Sequence, residues 1–338
     1  MSGTVRPPEI RSFDLGAFVT AAAFTPKGAA GFALGSGALV VADAKGELFS
    51  TEVNEGGALL SLAADPAGEA FLTGDDSGKV VRIHAGGGGE TVEIVKGKWI
   101  EHLVAHAGRK AFAFAAGKEA VAIDAKGRRA LGPHPSTIAG LAFSPDGSRL
   151  AAAHYGGATV WVHDQPASAP RKLAWKGSHV AIAYAPTAKF LATATQENAI
   201  HVWRLANSRD MQMQGYVAKP KWLAWNMDGQ SLTSSATEAV TVWSFQGDGP
   251  EGKPPLEFGP REGALMSAVV AHPRQALFLA GWDDGAITLA DPKIKRAGMV
   301  HRGHGKISAL AFDATGDRAL YGTEGGEAGL ITLPGLNR

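Results

Sequence analysis

The chain has 338 residues, no cysteine and a formal net charge of +1 at neutral pH. The lack of cysteine excludes disulfide bridges and thiolate chemistry, and the small net charge gives no electrostatic reason to expect nucleic acid or an anionic membrane as a partner. No apolar run of signal-peptide or membrane-spanning length is found in the sequence. We therefore expect a cytoplasmic protein, and its 44 glycines indicate a domain rich in turns.

The first predicted element is a strand at residues 10–15, and it precedes the first copy of a repeated pattern. The copy at 138–164 is the clearest. It contains an apolar run, the turn sequence SPDG at 144–147, a second apolar run, and a glycine pair at 156–157 that leads into a third run. Runs of five or six residues between turn residues favour antiparallel strands over helices.

Eight apolar runs mark the first strand of each copy, and successive runs are separated by about 40 residues. They lie at 19–24, 59–64, 100–105, 138–143, 179–184, 220–225, 265–270 and 307–312. Several short strands in a repeat of this length predict an all-β, eight-bladed β-propeller, with seven blades as the alternative count. The chain from 1 to 338 would form one propeller domain. Little chain remains after the last third strand, so we expect residues 10–15 to close the ring as the outer strand of the last blade.

Several short motifs recur at equivalent places in these copies. The sequence FSPDG follows the first strand at 138–143, a Gly-His pair stands at 303–304, and Trp203 and Trp243 occupy the same place in their third strands. On these residues the chain resembles the WD40-repeat propellers, although the Trp-Asp pair of that family is intact in no copy. The resemblance implies a non-catalytic scaffold that binds a protein or peptide partner on the upper rim of the ring.

The resemblance also indicates candidate contact residues. In the family, the residue four positions before the end of each first strand commonly contacts partners. In this chain that position is occupied by Leu60, Glu101, Lys221 and Met266 among others. The turns between second and third strands reach the same rim, and they contribute Tyr155, Trp282 and Asp283. Aromatic residues next to charges are typical of interaction hot spots. Trp282 has the alternative role of covering the edge of its blade.

His102 and Trp222 interrupt a row of small residues that is expected to lie near the axis. Such exceptions mark sites of function or of local strain. Either their blades widen to accommodate them, or they line the mouth of the central channel and contact a ligand or partner. An alternative function is therefore a small-molecule-binding or enzymatic propeller that uses Glu101, His102 and Trp222 at the channel mouth.

Catalytic and metal-binding patterns are weak in this sequence. The innermost rows supply only Glu101 and His102 as metal ligands, and no Gly-x-Ser-x-Gly sequence is present. We therefore predict no enzyme activity, no cofactor and no metal site. Regulatory metal binding through rim histidines is a third, weaker alternative.

Overall fold

The structure is a computed structural model that describes residues 7–43, 45–165, 167–247 and 249–333. The described residues form β-strands apart from turns, loops and one short 3₁₀ helix at Ala107–Arg109. Within these ranges no helix has the length and apolar character that crossing a bilayer requires.

The N-terminal part of the chain forms one separate strand and three consecutive four-stranded units. The separate strand is β1 (Glu9–Asp14). The first unit comprises β2 (Val19–Phe24), β3 (Ala30–Leu34), β4 (Ala38–Ala42) and β5 (Leu48–Glu52). The second comprises β6 (Leu59–Ala64), β7 (Ala70–Asp75), β8 (Lys79–His84) and β9 (Gly89–Ile94). The third comprises β10 (Leu103–His106), β11 (Ala111–Ala116), β12 (Glu119–Asp124) and β13 (Gly127–Leu131).

The rest of the chain continues the pattern with one larger sheet. That sheet comprises β14 (Gly140–Phe143), β15 (Arg149–Val162), β16 (Arg171–Tyr184), β17 (Phe190–Thr195), β18 (Ala199–Arg204) and β19 (Asp210–Met213). The next unit comprises β20 (Leu223–Trp225), β21 (Ser231–Ser234), β22 (Val240–Ser244) and β23 (Leu256–Phe258). It is followed by β24 (Met266–Ala271), β25 (Phe278–Trp282), β26 (Ala286–Asp291) and β27 (Arg296–Arg302). The chain ends with β28 (Ile307–Phe312), β29 (Arg318–Thr323) and β30 (Glu327–Thr332).

The larger sheet joins two of the expected blades. Strand β15 doubles back at Gly156 and Gly157, whose φ angles of 89° and 133° suit glycine. The first half of β15 pairs with β14 and its second half pairs with the first half of β16. The remainder of β16 pairs with β17. The described strands therefore form seven sheets, which agrees with the alternative count of seven, and the prediction of eight separate blades is wrong.

The sheets are arranged as a closed propeller. Around the ring the first strands contact one another in the order β2, β6, β10, β14, β16, β20, β24 and β28, and β28 contacts β2. The prediction of an all-β propeller is confirmed by this arrangement. Because alternate residues of each strand face opposite sides, the hydrophobic cores lie between neighbouring sheets. Phe32 of β3 and Leu320 of β29, for example, share one such core.

Strand β1 is the outer strand of the sheet that ends the chain. It pairs antiparallel with β30, so that Glu9 lies opposite Thr332 and Asp14 lies opposite Glu327. The Tyr321 hydroxyl lies 2.8 Å from Ser12 Oγ and 2.8 Å from Glu327 Oε1. The first and last strands of the chain are thus joined by backbone pairing and by side-chain hydrogen bonds.

Candidate partner-binding face

The strand order gives the ring two faces. Successive strands of a unit are antiparallel, so the loops before first strands and the turns between second and third strands lie on one face. We call this the upper face. The turns between first and second strands and between third and fourth strands lie on the other, which we call the lower face. One upper-face contact is the hydrogen bond of 2.8 Å from Ile138 N, before β14, to Gly117 O, between β11 and β12.

Trp99 lies on the upper face and its side chain is 64% exposed. The backbone that carries it is fixed at the next residue. Ile100 N donates to Asp75 O at 2.9 Å, and Ile100 O accepts from Ser61 Oγ at 2.7 Å. Ile100 itself is fully buried. The Trp99 ring is therefore exposed to solvent while the backbone of its loop is fixed by hydrogen bonds.

Tyr155 is also 64% exposed and lies where β15 turns on the same face. Its backbone N donates to Ser136 Oγ at 2.8 Å. Beneath it the His154 ring is bonded at both nitrogens: Nδ1 donates to Tyr155 O at 2.9 Å, and Nε2 lies 2.8 Å from Thr159 Oγ1. The turn is fixed by these bonds while the phenol ring remains free to bind.

A series of contacts links the loop that carries Trp99 to the turn that carries Tyr155. The Lys98 side chain, next to Trp99, lies against Gly117. Gly117 O accepts from Ile138 N, and Ser136, two residues earlier, binds the Tyr155 backbone. Glu101 lies close to Trp99 in the chain and is exposed. We call Trp99, Glu101 and Tyr155 together the aromatic rim.

The predicted contact residues differ in their exposure. Glu101, Tyr155 and Lys221 are exposed, whereas Leu60, His102, Trp222 and Asp283 are half-buried. The backbone of Lys221 is held in place, because its N–H donates a hydrogen bond to Ser235 Oγ at 2.9 Å. Asp283 Oδ1 is used within the fold, since it accepts from Leu265 N at 2.9 Å.

Met266 and Trp282 are not surface residues, and the interpretation of both as exposed contacts is wrong. Their exposed fractions are 1% and 0%. The turn of the preceding unit covers Met266, whose N donates to Thr237 O at 2.9 Å. Trp282 is the last residue of β25, lies opposite Met266 in register, and donates from Nε1 to Thr288 Oγ1 at 3.1 Å. The guanidinium of Arg261 covers its ring at 5.5 Å from the centroid.

The predicted channel-mouth residues are not brought together in one cavity. Trp222 lines an axial cavity of about 770 Å³ that is otherwise mainly apolar, with Phe24 and Trp225 in its wall. Glu101 and His102 do not line it. Burial lowers the pKa of His102 to about 4, so its imidazole is neutral at pH 7. Across the described ranges, no three His, Cys, Asp or Glu side chains are grouped in a way that could hold a metal ion.

Two exposed apolar residues of the upper face were not identified from the sequence. Phe18 is 44% exposed and Val217 is 64% exposed, and both lie in loops that lead into first strands. Trp99 was likewise not among the predicted contact residues. The sequence signal that could have identified these exposed residues was a large apolar residue in the loop just before a first strand.

A buried histidine–tryptophan pair lies at the start of the larger sheet. His134 Nδ1 donates to Lys118 O at 2.9 Å, and Trp161 Nε1 donates to His134 Nε2 at 3.1 Å, so this histidine is bonded both to the preceding unit and to β15. Residues 127–164, which contain both side chains, match the family model described as WD domain, G-beta repeat. The chain is thus a β-propeller with a WD40 repeat at 127–164, and the predicted resemblance to WD40-type propellers is confirmed.

Comparison with solved structures finds the same fold in another protein. The chain is similar to the computationally designed Ika8 protein, known from a crystal structure, with a TM-score of 0.76 and 17% sequence identity. The similarity covers 94% of this chain and 97% of that one. At this identity the likeness shows the fold alone. The sequence has no significant match among curated proteins.

Proposed function

We propose that this propeller is a non-catalytic cytoplasmic scaffold that binds a protein or peptide partner through its upper face. The observation that supports this most is the pair Trp99 and Tyr155, both 64% exposed and both carried by neighbouring repeats. Trp and Tyr are the residue types most enriched among interface hot spots. The hydrogen bonds that fix their backbones reduce the entropy lost when a partner binds.

The other predicted residues have supporting roles in this proposal. Glu101 and Lys221 are exposed charges of opposite sign, and such rim charges set orientation and association rate more than affinity. Leu60, His102, Trp222 and Asp283 are half-buried, so part of each residue remains accessible. A partner that contacts the aromatic rim and extends toward the axis would cover them.

The test is affinity capture from extracts of the native cells with the full chain as bait. Trp99→Ala and Tyr155→Ala should each reduce recovery of a specific partner by tenfold or more, since loss of a hot spot costs about 2 kcal/mol or more. The matched control is Phe49→Ala, which removes an aromatic side chain that is 53% exposed on the outer strand β5. Recovery that is unchanged in both rim variants, or equally reduced in the control, would refute the proposed face.

A further inference from the structure

A large cavity lined by described residues lies on the lower face, opposite the aromatic rim. It has a volume of about 1240 Å³ and lies between the turns at 144–149, 184–190, 204–206 and 228–230. Three consecutive repeats contribute to its wall. The volume exceeds the usual range for small-molecule sites, about 300 to 1,000 Å³, so a ligand of substantial size fits within it.

Positive charge predominates in the wall of this cavity. Arg149, Arg171, Lys189 and Arg204 line it, against the carboxylates of Asp146 and Asp228. Asp146 is already used by its own turn, because its carboxylate accepts from Ser144 Oγ at 2.6 Å and from Ser148 Oγ at 2.8 Å. Its negative charge remains, so the wall carries four cationic side chains against two carboxylates.

Arg149 and Arg171 form no ion pair with a carboxylate of the described chain. Six others form ion pairs with Asp or Glu: Arg82, Arg128, Arg129, Arg209, Arg261 and Arg318. Among the described residues the Arg149 guanidinium makes only a long hydrogen bond of 3.5 Å, to Ser148 Oγ. Two guanidinium groups beside a cavity are thus available for an external anion.

Arg171 is held in position by neutral groups. Its Nη1 donates to Leu205 O at 2.7 Å, and its Nη2 donates to Ser208 Oγ at 2.6 Å. These bonds orient the planar group and leave its charge uncompensated. Arginine in this state suits phosphate and carboxylate groups, which accept two parallel hydrogen bonds from the guanidinium.

A buried hydroxyl in the cavity wall also lacks an acceptor. The Tyr184 hydroxyl oxygen is out of contact with solvent and forms no hydrogen bond with the described residues. Burial raises the pKa of Tyr184, so the group keeps its proton and can donate. A buried donor without an acceptor costs free energy, and an anion in the cavity would remove that cost.

We propose that this lower-face cavity binds a small organic molecule bearing a multivalent oxyanion group, either phosphate or carboxylate. Arg149 and Arg171 would pair with the oxygens, and the Tyr184 hydroxyl would donate a hydrogen bond to one of them. Val160 and Phe245 line the same cavity and offer apolar contact to the body of the ligand. The site lies on the face opposite the proposed partner surface and is independent of it.

Isothermal titration of the full chain with pyrophosphate and, separately, with citrate tests the proposal. At least one of the two probes is expected to bind. Tighter binding of pyrophosphate would identify phosphate as the preferred group, and tighter binding of citrate would identify carboxylate. Arg149→Gln should weaken that binding by about tenfold or more, because hydrogen bonds to charged groups contribute about 1.5 to 3 kcal/mol. Tyr184→Phe, which removes only the hydroxyl, should weaken it several-fold.

The matched control is Arg274→Gln, which removes the same charge from an exposed lower-face turn outside the cavity. It should bind like the unmodified protein, and circular dichroism with a thermal melt checks that each variant is folded. The proposal is refuted if neither probe binds at millimolar concentration, if folded Arg149→Gln binds as well as the unmodified protein, or if Arg274→Gln loses as much affinity.

Discussion

Replacing Phe13 with alanine tests how much strand β1 contributes to the closed ring. Phe13 is half-buried, packs into the core formed by the first and last units, and meets Phe32 edge-on at 6.5 Å between ring centroids. Removing a fully buried phenylalanine side chain costs about 3 to 5 kcal/mol. About half of that, roughly 2 kcal/mol, is expected here because the side chain is only half-buried.

The measurement is urea unfolding at 25 °C followed by tryptophan fluorescence, with Phe49→Ala as the control. Phe49 lies on an outer strand and is 53% exposed, so its loss should cost less than about 0.5 kcal/mol. Amide exchange of β30 should also accelerate in Phe13→Ala, because β1 protects that strand. If Phe13→Ala destabilises the protein no more than Phe49→Ala does, β1 does not stabilise the ring through this core.

Two further predictions concern buried residues. Burial lowers the pKa of His201 to about 4, although Asp210 Oδ2 lies 3.0 Å from its Nε2. An unfolded histidine has a pKa of about 6.5, so the unfolded chain binds more protons below that pH. The free energy of unfolding should therefore fall between about pH 6.5 and 4. When the free energy of unfolding is measured by urea titration at several pH values, His201→Gln should show a smaller decline, whereas the exposed control His304→Gln should decline like the unmodified protein. An equal dependence on pH in the unmodified protein and both variants would contradict the assignment of this decline to His201. Trp282→Ala should lower the free energy of unfolding, measured in the same urea titrations, by about 3 to 5 kcal/mol, because the side chain is buried. Trp99→Ala should lower it by less than about 0.5 kcal/mol, and similar losses in the two variants would contradict their different burial.

The repeat pattern could be predicted from the sequence because its signals are local. An apolar run bounded by turn residues forms a strand whatever lies elsewhere in the ring. The runs predicted at 19–24, 59–64 and 307–312 coincide with β2, β6 and β28. The prediction of an all-β propeller depended on these runs and their spacing, whereas the resemblance to WD40 propellers depended on the short motifs between them.

The number of sheets could not be predicted, because it depends on hydrogen bonds across a link between repeats. The apolar runs at 138–143 and 179–184 predict the first strands of two separate blades. In the structure β16 continues through Gly177, whose φ is 115°, and Ser178 pairs with Tyr155. Glycine permits this backbone at low cost, so the same residue is compatible with a break and with a continuous strand.

The error over Trp282 has a similar physical origin. Two aspartates follow it, and an aromatic residue beside charges suggested an exposed turn. Strand β25 extends to Trp282, which places its side chain on the core side with Met266. Side chains alternate along a strand, so a boundary misplaced by one residue exchanges the buried and exposed faces. The local sequence does not define that boundary.

A single strand links the two proposed sites and explains why they lie on opposite faces. Strand β15 begins at Arg149 in the wall of the lower cavity and reaches Tyr155 on the upper face before it turns. At about 3.3 Å per residue the two Cα atoms are roughly 20 Å apart, so one ligand cannot contact both. The residues between them, Leu150 to His154, are buried, and Leu150 to Ala153 pair with β14. An anion bound at Arg149 could therefore affect Tyr155 only by moving this whole strand against its neighbours, and the packed core opposes such a shift.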